Sequence, residues 1–235
     1  MTSVATRVAR LDWEAIARDL DTCGFAVTPP LLTAVECRQV ASLWERRDRF
    51  RTHVDMAQHR FGVGEYRYFA EPLPPLVAAL RRHSYARLAP LANRWTAELG
   101  GERFPADLAA FVAYCAARGQ RRPTPLLLRY TAGGYNCLHQ DLYGAVAFPL
   151  QLTILLSRPH VDFTGGEILL VEQRTRAQSR GQAVVLAQGQ AVIFPNRHRP
   201  VTGARGTYRV TVRHGVSDVH SGERRTLGVI FHDAE

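Results

Sequence analysis

The sequence predicts an α+β protein in which helices brace a core of short strands, a jelly roll or β-sandwich. Two observations carry that expectation. Apolar residues keep helical spacing behind recognisable caps through the first half, and from Pro125 onward they fall into short β-branched runs separated by glycine-bearing turns. Helices first and strands afterwards is the order of a layered α+β arrangement rather than of alternating βαβ units. At 235 residues the chain can bury one sizeable core. No low-complexity linker or internal repeat interrupts it. It is therefore read as a single domain, with residues 1–122 as mainly helical support and lid and 123–235 as the strand core.

Each element has a local reason. Asp12 is placed to cap a helix through Leu20 that Gly24 closes, and Gly24–Val27 is a short extended piece before Pro29 and Pro30. Thr33-Ala-Val-Glu36 is a capping box, in which hydroxyl and carboxylate satisfy each other's orphan amides, and Val40, Leu43 and Trp44 form an apolar stripe behind it. Pro74-Pro75 starts a helical region whose Leu88, Leu91, Ala92, Trp95 and Leu99 keep their spacing until Gly100-Gly101. Pro90 is expected to kink or divide it. A last helix, from about Pro105 to Arg118, ends at Gly119 and buries Phe111, Val112 and Cys115. Strands are expected at Leu126–Tyr130, Phe148–Leu156, Glu167–Glu172, Ala183–Leu186, Ala191–Phe194, Tyr208–His214 and Arg225–Phe231.

The formal charge of +9 and a pI near 10.0 fit a polyanionic partner such as DNA or RNA, or acidic small molecules. All 30 basic residues are arginine, a bias of composition, so the sign of the charge informs and the choice of arginine does not. Cys23, Cys37, Cys115 and Cys137 show no CxxC spacing, which argues against a zinc ribbon or disulfide scaffold and fits a reducing cytoplasm. No apolar run approaches the roughly 18 residues of a membrane span. A cytoplasmic protein without a membrane partner is the expectation.

Chemistry concentrates in the second half. In a strand, residues i and i+2 share a face, so His139-Gln140-Asp141 can present an imidazole and a carboxylate to one metal ion. His160-Val161-Asp162 has the same form. It is the weaker candidate, because Gly165-Gly166-Glu167 marks a turn immediately after it and leaves little room for a strand. His214, ending an expected strand, is the favoured second imidazole, and His198 remains a rival. Two imidazoles and one carboxylate on one face of Fe(II) leave three positions for a bidentate co-substrate and O₂. Arg224 stands ten residues beyond His214, and its planar fork suits the far carboxylate of a dicarboxylic keto acid. Thr226 would face the same way along the strand and add a hydroxyl. With His214 and the final strand adjacent, ligand and arginine would meet at one mouth of the core.

These residues resemble a known family. His139-x-Asp141, Gly165-Gly166-Glu167 and the segment from His214 to Arg224-x-Thr226 look like the motifs of the Fe(II)/2-oxoglutarate-dependent dioxygenases, in their prolyl-hydroxylase-like branch. More narrowly, Leu126–Tyr130, Tyr135–Gly144, Glu172-Gln-Arg174, Gln178-Ser-Arg180 and the stretches around His214 and Leu227–Asp233 are similar to a bacterial family of oxygenases proposed to demethylate damaged DNA. The resemblance implies a double-stranded β-helix core, Fe(II), 2-oxoglutarate and O₂. It also implies His139, Asp141 and His214 as iron ligands, Arg224 as the 2-oxoglutarate partner, and a co-substrate contact from Tyr130. Tyr66, Arg67, Tyr68 and Phe69 interleave arginine with aromatics and are candidates to meet a base, or else a partly buried lid. Hydroxylation of a small molecule or protein side chain, and a noncatalytic jelly-roll binder, are the alternative functions.

Overall fold

A computed structural model describes residues 2–204 and 206–235. The helices are α1 (Val4–Ala9), α2 (Trp13–Thr22), α3 (Ala34–Ser42), α4 (Pro75–Glu98) and α5 (Leu108–Ala116). Asp12 caps α2 by accepting from the Ala15 amide, and the capping box of Thr33 and Glu36 forms at the start of α3. Pro90 lies inside α4 without dividing it. Its neighbours Leu88, Ala89, Leu91 and Ala92 are all buried against the core, and that packing outweighs the loss of one backbone donor.

The strands are β1 (Ala26–Val27), β2 (Phe50–Asp55), β3 (Gly62–Val63), β4 (Glu65–Phe69), β5 (Leu126–Thr131), β6 (Tyr135–His139) and β7 (Leu150–Leu155) in the first part of the sheet-forming chain. They continue as β8 (Phe163–Gly165), β9 (Ile168–Gln173), β10 (Arg180–Val184), β11 (Ala191–Pro195), β12 (His198–Gly203), β13 (Gly206–Val216) and β14 (Val219–Val229). They make two antiparallel sheets. The larger runs β1-β11-β7-β14-β5-β4-β2, with β8 on β14, and the smaller runs β10-β9-β13-β6-β3, with β12 on β13.

Alternation along the strands divides the apolar residues between two cores. On β7, Leu150, Leu152 and Ile154 face the helices while Gln151 and Thr153 face the space between the sheets. On β11, Ala191 and Ile193 take the first side, and Val192 and Phe194 the second. The outer core joins the larger sheet to Leu20, Trp44, Tyr85, Trp95 and Phe111 of the helical half. The inner core, around Tyr130, Leu155, Ile168, Leu170 and Phe194, floors the barrel.

The first half is less purely helical than the sequence indicates. β2 and β4 extend the larger sheet through β4–β5 pairing, so that sheet crosses the position near residue 122 where the architecture was expected to change. Residues 66–69 are therefore strand, not lid. β2 carries Arg51, Thr52 and His53 on a half-buried edge, which gives no clean apolar alternation to read. The His139 motif also has its own strand, β6, which polar and exposed residues disguise.

Candidate active site

His139 ends β6, and its register partner on the neighbouring strand β13 is His214. The two rings lie 4.2 Å apart between centroids. Asp141, just beyond β6, places one carboxylate oxygen 3.6 Å from His139 Nε2 and the other 3.1 Å from His214 Nε2. The three potential ligand atoms all lie within 4.8 Å of one another, the spacing a single ion requires. His139 Nδ1 sits 2.8 Å from the Cys137 carbonyl oxygen. A carbonyl can only accept, so Nδ1 carries the hydrogen and Nε2 turns its lone pair to the cluster. Burial works against the Asp141 carboxylate, but the two imidazoles outweigh it and hold its pKa well below the ordinary range. Burial, reinforced by His139, pushes the His214 pKa down, which favours the neutral, ligating form.

Across the cavity, on β14 of the other sheet, stands Arg224. It is 2% exposed, and its Nε and Nη1 have no hydrogen-bond partner. Among the described residues no carboxylate forms an ion pair with it. Burial lowers its pKa to about 10, which still leaves it cationic at neutral pH. Its guanidinium carbon is 5.7 Å from the Tyr130 ring centroid and 6.0 Å from that of Phe163. Gly166 makes room for the stem: at φ 66°, it lies where a Cβ would come 2.7 Å from Arg224 Cδ. Thr226 and Tyr130 are fully buried beside it, and Tyr130 Oη accepts from the Asn136 amide at 3.2 Å. Arg224, Thr226, Tyr130 and the His-Asp-His cluster all line one cavity of about 450 Å³, a size typical of small-molecule sites.

His214 and Arg224 thus face each other from opposite sheets rather than meeting on adjacent strands, because β14 begins at Val219 and leaves the β13 sheet. His198 is on β12, beside Thr211 and away from the cluster. His160 lies in a loop with φ 62°, and Asp162 is occupied by Arg158, whose side chain and amide both donate to it.

A family of oxygenases described as catalysing oxidative methylation of damaged DNA matches residues 64–234. The chain belongs to this family. Two strains of Mycobacterium tuberculosis each carry an uncharacterized protein 48% identical over 181 residues, covering 74% of this chain and 78% of theirs. Among solved structures, a Pseudomonas putida prolyl-4-hydroxylase superposes with a TM-score of 0.55 at 16% identity, covering 95% of this chain and 99% of that one. A Trichoplax adhaerens prolyl hydroxylase, in complex with a hypoxia-inducible-factor peptide fragment, gives 0.57 at 14% identity, covering 94% and 89%. The oxygenase therefore has the double-stranded β-helix fold of the Fe(II)/2-oxoglutarate-dependent dioxygenases.

The oxygenase separates the residues expected to meet a substrate. Tyr66 and Tyr68 point into the cavity from β4, their rings edge-on at 5.4 Å. Arg67, between them on the strand, turns to the opposite face. There it donates to the Trp44 carbonyl at 2.6 Å and stacks on the Trp44 ring at 4.3 Å. That position makes Arg67 a structural residue of the outer core, and Phe69 likewise stacks on Phe50. Sequence reasoning did not single out three cavity residues of the oxygenase. Tyr143 Oη donates to Asp141 Oδ1 at 2.6 Å, the Gln151 amide lies 3.4 Å from His214 Nε2, and Asn136 reaches Tyr130. An i+2 spacing from Asp141 was the available signal for Tyr143. Gln151 had one too, as a polar residue inside an otherwise apolar strand. No described helix is long and apolar enough to cross a membrane.

Proposed function

We propose that this oxygenase is an Fe(II)/2-oxoglutarate-dependent dioxygenase that removes methyl groups from alkylated bases of DNA. One observation carries the catalytic part: a compact His-Asp-His cluster shares its cavity with a buried cationic arginine that has no anion of its own. Burying an uncompensated charge costs several kcal/mol, so a guanidinium in that state is a site for an anionic ligand. In this reading His139, Asp141 and His214 hold Fe(II). Arg224, with hydroxyl support from Thr226 and Tyr130, holds the far carboxylate of 2-oxoglutarate. The donor set fits the ion: two neutral imidazoles and one carboxylate leave open positions for a chelating keto acid and O₂.

When bound, iron with 2-oxoglutarate supplies oxidation of an unactivated C–H bond by O₂. One oxygen atom enters the substrate, and the other ends in succinate as CO₂ leaves. For an N-methyl group the product is N–CH₂OH, which breaks its C–N bond to give formaldehyde and restores N–H. The chain's part is placement. Tyr143 steadies Asp141, Arg224 fixes one end of the co-substrate, and the Tyr66 and Tyr68 rings offer aromatic surface to a planar base. The DNA substrate is supported by the family description and by the charge of +9. The test is succinate and formaldehyde release with N-methylated oligonucleotides. Equimolar release by the wild type, and none by a folded Asp141→Ala variant, is the expected outcome. Failure of the wild type to bind Mn(II) in a titration would overturn the iron assignment.

A further inference from the structure

Large apolar side chains that nothing in the fold covers surround the mouth of the cavity. Phe61 is 47% exposed, Leu138 43% and Leu142 38%. All three belong to the cavity lining. Exposed apolar groups clustered at the entrance of a site mark a surface that another molecule covers.

Phe61 is held like a fixed tool rather than a loose loop residue. It lies in the turn between β2 and β3, where its amide donates to the Met56 carbonyl at 3.0 Å and its own carbonyl accepts from the Cys137 amide at 2.8 Å. Arg60, just before it, takes a left-handed conformation with φ 59°. Gly62, just after it, has φ 133°, and a Cβ there would come 2.4 Å from the Tyr135 carbonyl oxygen, so glycine lets the turn press against β6. The His59 ring stacks behind Phe61, with centroids 5.4 Å apart and 23° between planes. Tied at both backbone ends and backed by an imidazole, the phenyl group projects from a rigid base.

Charge flanks this projection. Arg60 lines the mouth beside Phe61. Inside, the aromatic wall of Tyr66 and Tyr68 stands where charged side chains are confined to the metal cluster, Arg224 and Arg60. A polyanion with planar, uncharged rings complements this layout.

We propose that Phe61, flanked by Leu138 and Leu142, is a wedge that enters the base stack of methylated duplex DNA. It fills the gap left by the nucleotide turned into the cavity, while Tyr66 and Tyr68 receive the base and Arg60 meets the phosphates. The inference rests on the DNA reading above. Its physical basis is that a target base inside a duplex is out of reach until it is extruded, and an apolar side chain inserted at the step offsets part of the lost stacking. A single strand needs no such wedge.

The test compares wild type, Phe61→Ala and Phe61→Trp, all with Mn(II) bound, on an oligonucleotide carrying one N-methylated base beside 2-aminopurine. Wild type should raise 2-aminopurine fluorescence in the duplex, and Phe61→Ala should lose that rise. Under turnover with Fe(II), Phe61→Ala should lose about ten- to a hundredfold of its duplex activity and keep its single-strand activity. Phe61→Trp should restore both signals. Equal performance of Phe61→Ala and wild type on duplex overturns the wedge and leaves the DNA reading standing. Loss of duplex and single-strand activity together in Phe61→Ala also overturns it. No response of the wild type to either oligonucleotide, with peptide-stimulated turnover instead, overturns both.

Discussion

Arg81 and Arg224 are equally hidden from solvent, at 3% and 2% exposed, yet the fold treats their charges in opposite ways. Arg81, on α4, faces the segment that follows β14. It donates to Asp233 and to the Phe231 carbonyl at 2.6 Å each, and to the Ile230 carbonyl at 3.2 Å. Arg199, on β12, is likewise saturated, by Glu172 of β9 and the Asp21 carbonyl of α2. Arg224 in the cavity has none of this. The difference teaches which buried charges the chain completes for itself and which it leaves for a ligand. The largest expected effect follows directly: Arg81→Met strands the Asp233 carboxyl without a cation and should cost about 3–5 kcal/mol of stability. Arg224→Met removes a charge with nothing left unpaired, and should unfold within about 1 kcal/mol of wild type or later. Denaturant titration of both variants decides it, and equal destabilisation would break the comparison.

The self-compensation of Arg199 also carries a pH signature. Burial raises the Glu172 pKa, but Arg174 and Arg199 outweigh it and leave it below the ordinary 4.5. As pH falls below about 4.5, the unfolded carboxyl takes up a proton before the folded one does. The stability from this pairing is complete above that range and is lost as pH drops through the folded value. Glu172→Gln should be less stable at pH 7 and show a flatter loss of unfolding free energy on the acid side. An unchanged acid slope would remove Glu172 from this account.

On the cavity side, Arg224→Met should weaken 2-oxoglutarate binding by about 2–5 kcal/mol, thirtyfold or more, while Mn(II) affinity stays as in the wild type. Calorimetric titration of the metal-loaded protein measures both. With the Arg224 pKa at about 10, wild-type 2-oxoglutarate affinity should hold from pH 7 to 9 and decline as pH passes that value, because the neutral guanidine no longer attracts the carboxylate. Thr226→Val should cost about 1 kcal/mol, since only a neutral hydrogen bond is lost.

The same contrast explains what the sequence reveals and what it hides. His139, Asp141 and Arg224 are legible as candidates from their spacing and the family likeness, whereas His214 has His198 as a rival in the sequence, and only the fold sets His214 beside His139. The pairing that brings them together is not legible: His139 and His214 meet through the register of β6 on β13, a long-range contact with no local mark. The α+β order and the capped helices follow from local rules, whereas β2 and β4 form a pair rich in arginine, histidine and tyrosine that joins the larger sheet only where β4 meets β5 in mid-chain. Arg67 shows the limit most clearly. Strand alternation separates it from Tyr66 and Tyr68, and that alternation is invisible until the segment is known to be a strand.

Tyr143 tests whether the His-Asp-His cluster belongs with the self-paired arginines, as a set of groups the chain itself orients. Tyr143 Oη donates to Asp141 Oδ1, and the Tyr143 ring is packed edge-on against Tyr68 with centroids 6.0 Å apart. That hydrogen bond holds the carboxylate with Oδ2 3.1 Å from His214 Nε2. Tyr143→Phe keeps the ring and removes that tie, yet His139 stays oriented by the Cys137 carbonyl. Metal affinity should therefore fall by about tenfold, the lower end for a residue that orients a ligand without touching the ion. 2-Oxoglutarate affinity at saturating metal should not move, because Arg224 is untouched. Co(II) or Mn(II) isotherms read this directly. Unchanged metal affinity would make the Tyr143 hydroxyl a matter of packing, and the carboxylate would then owe its orientation to the two imidazoles alone.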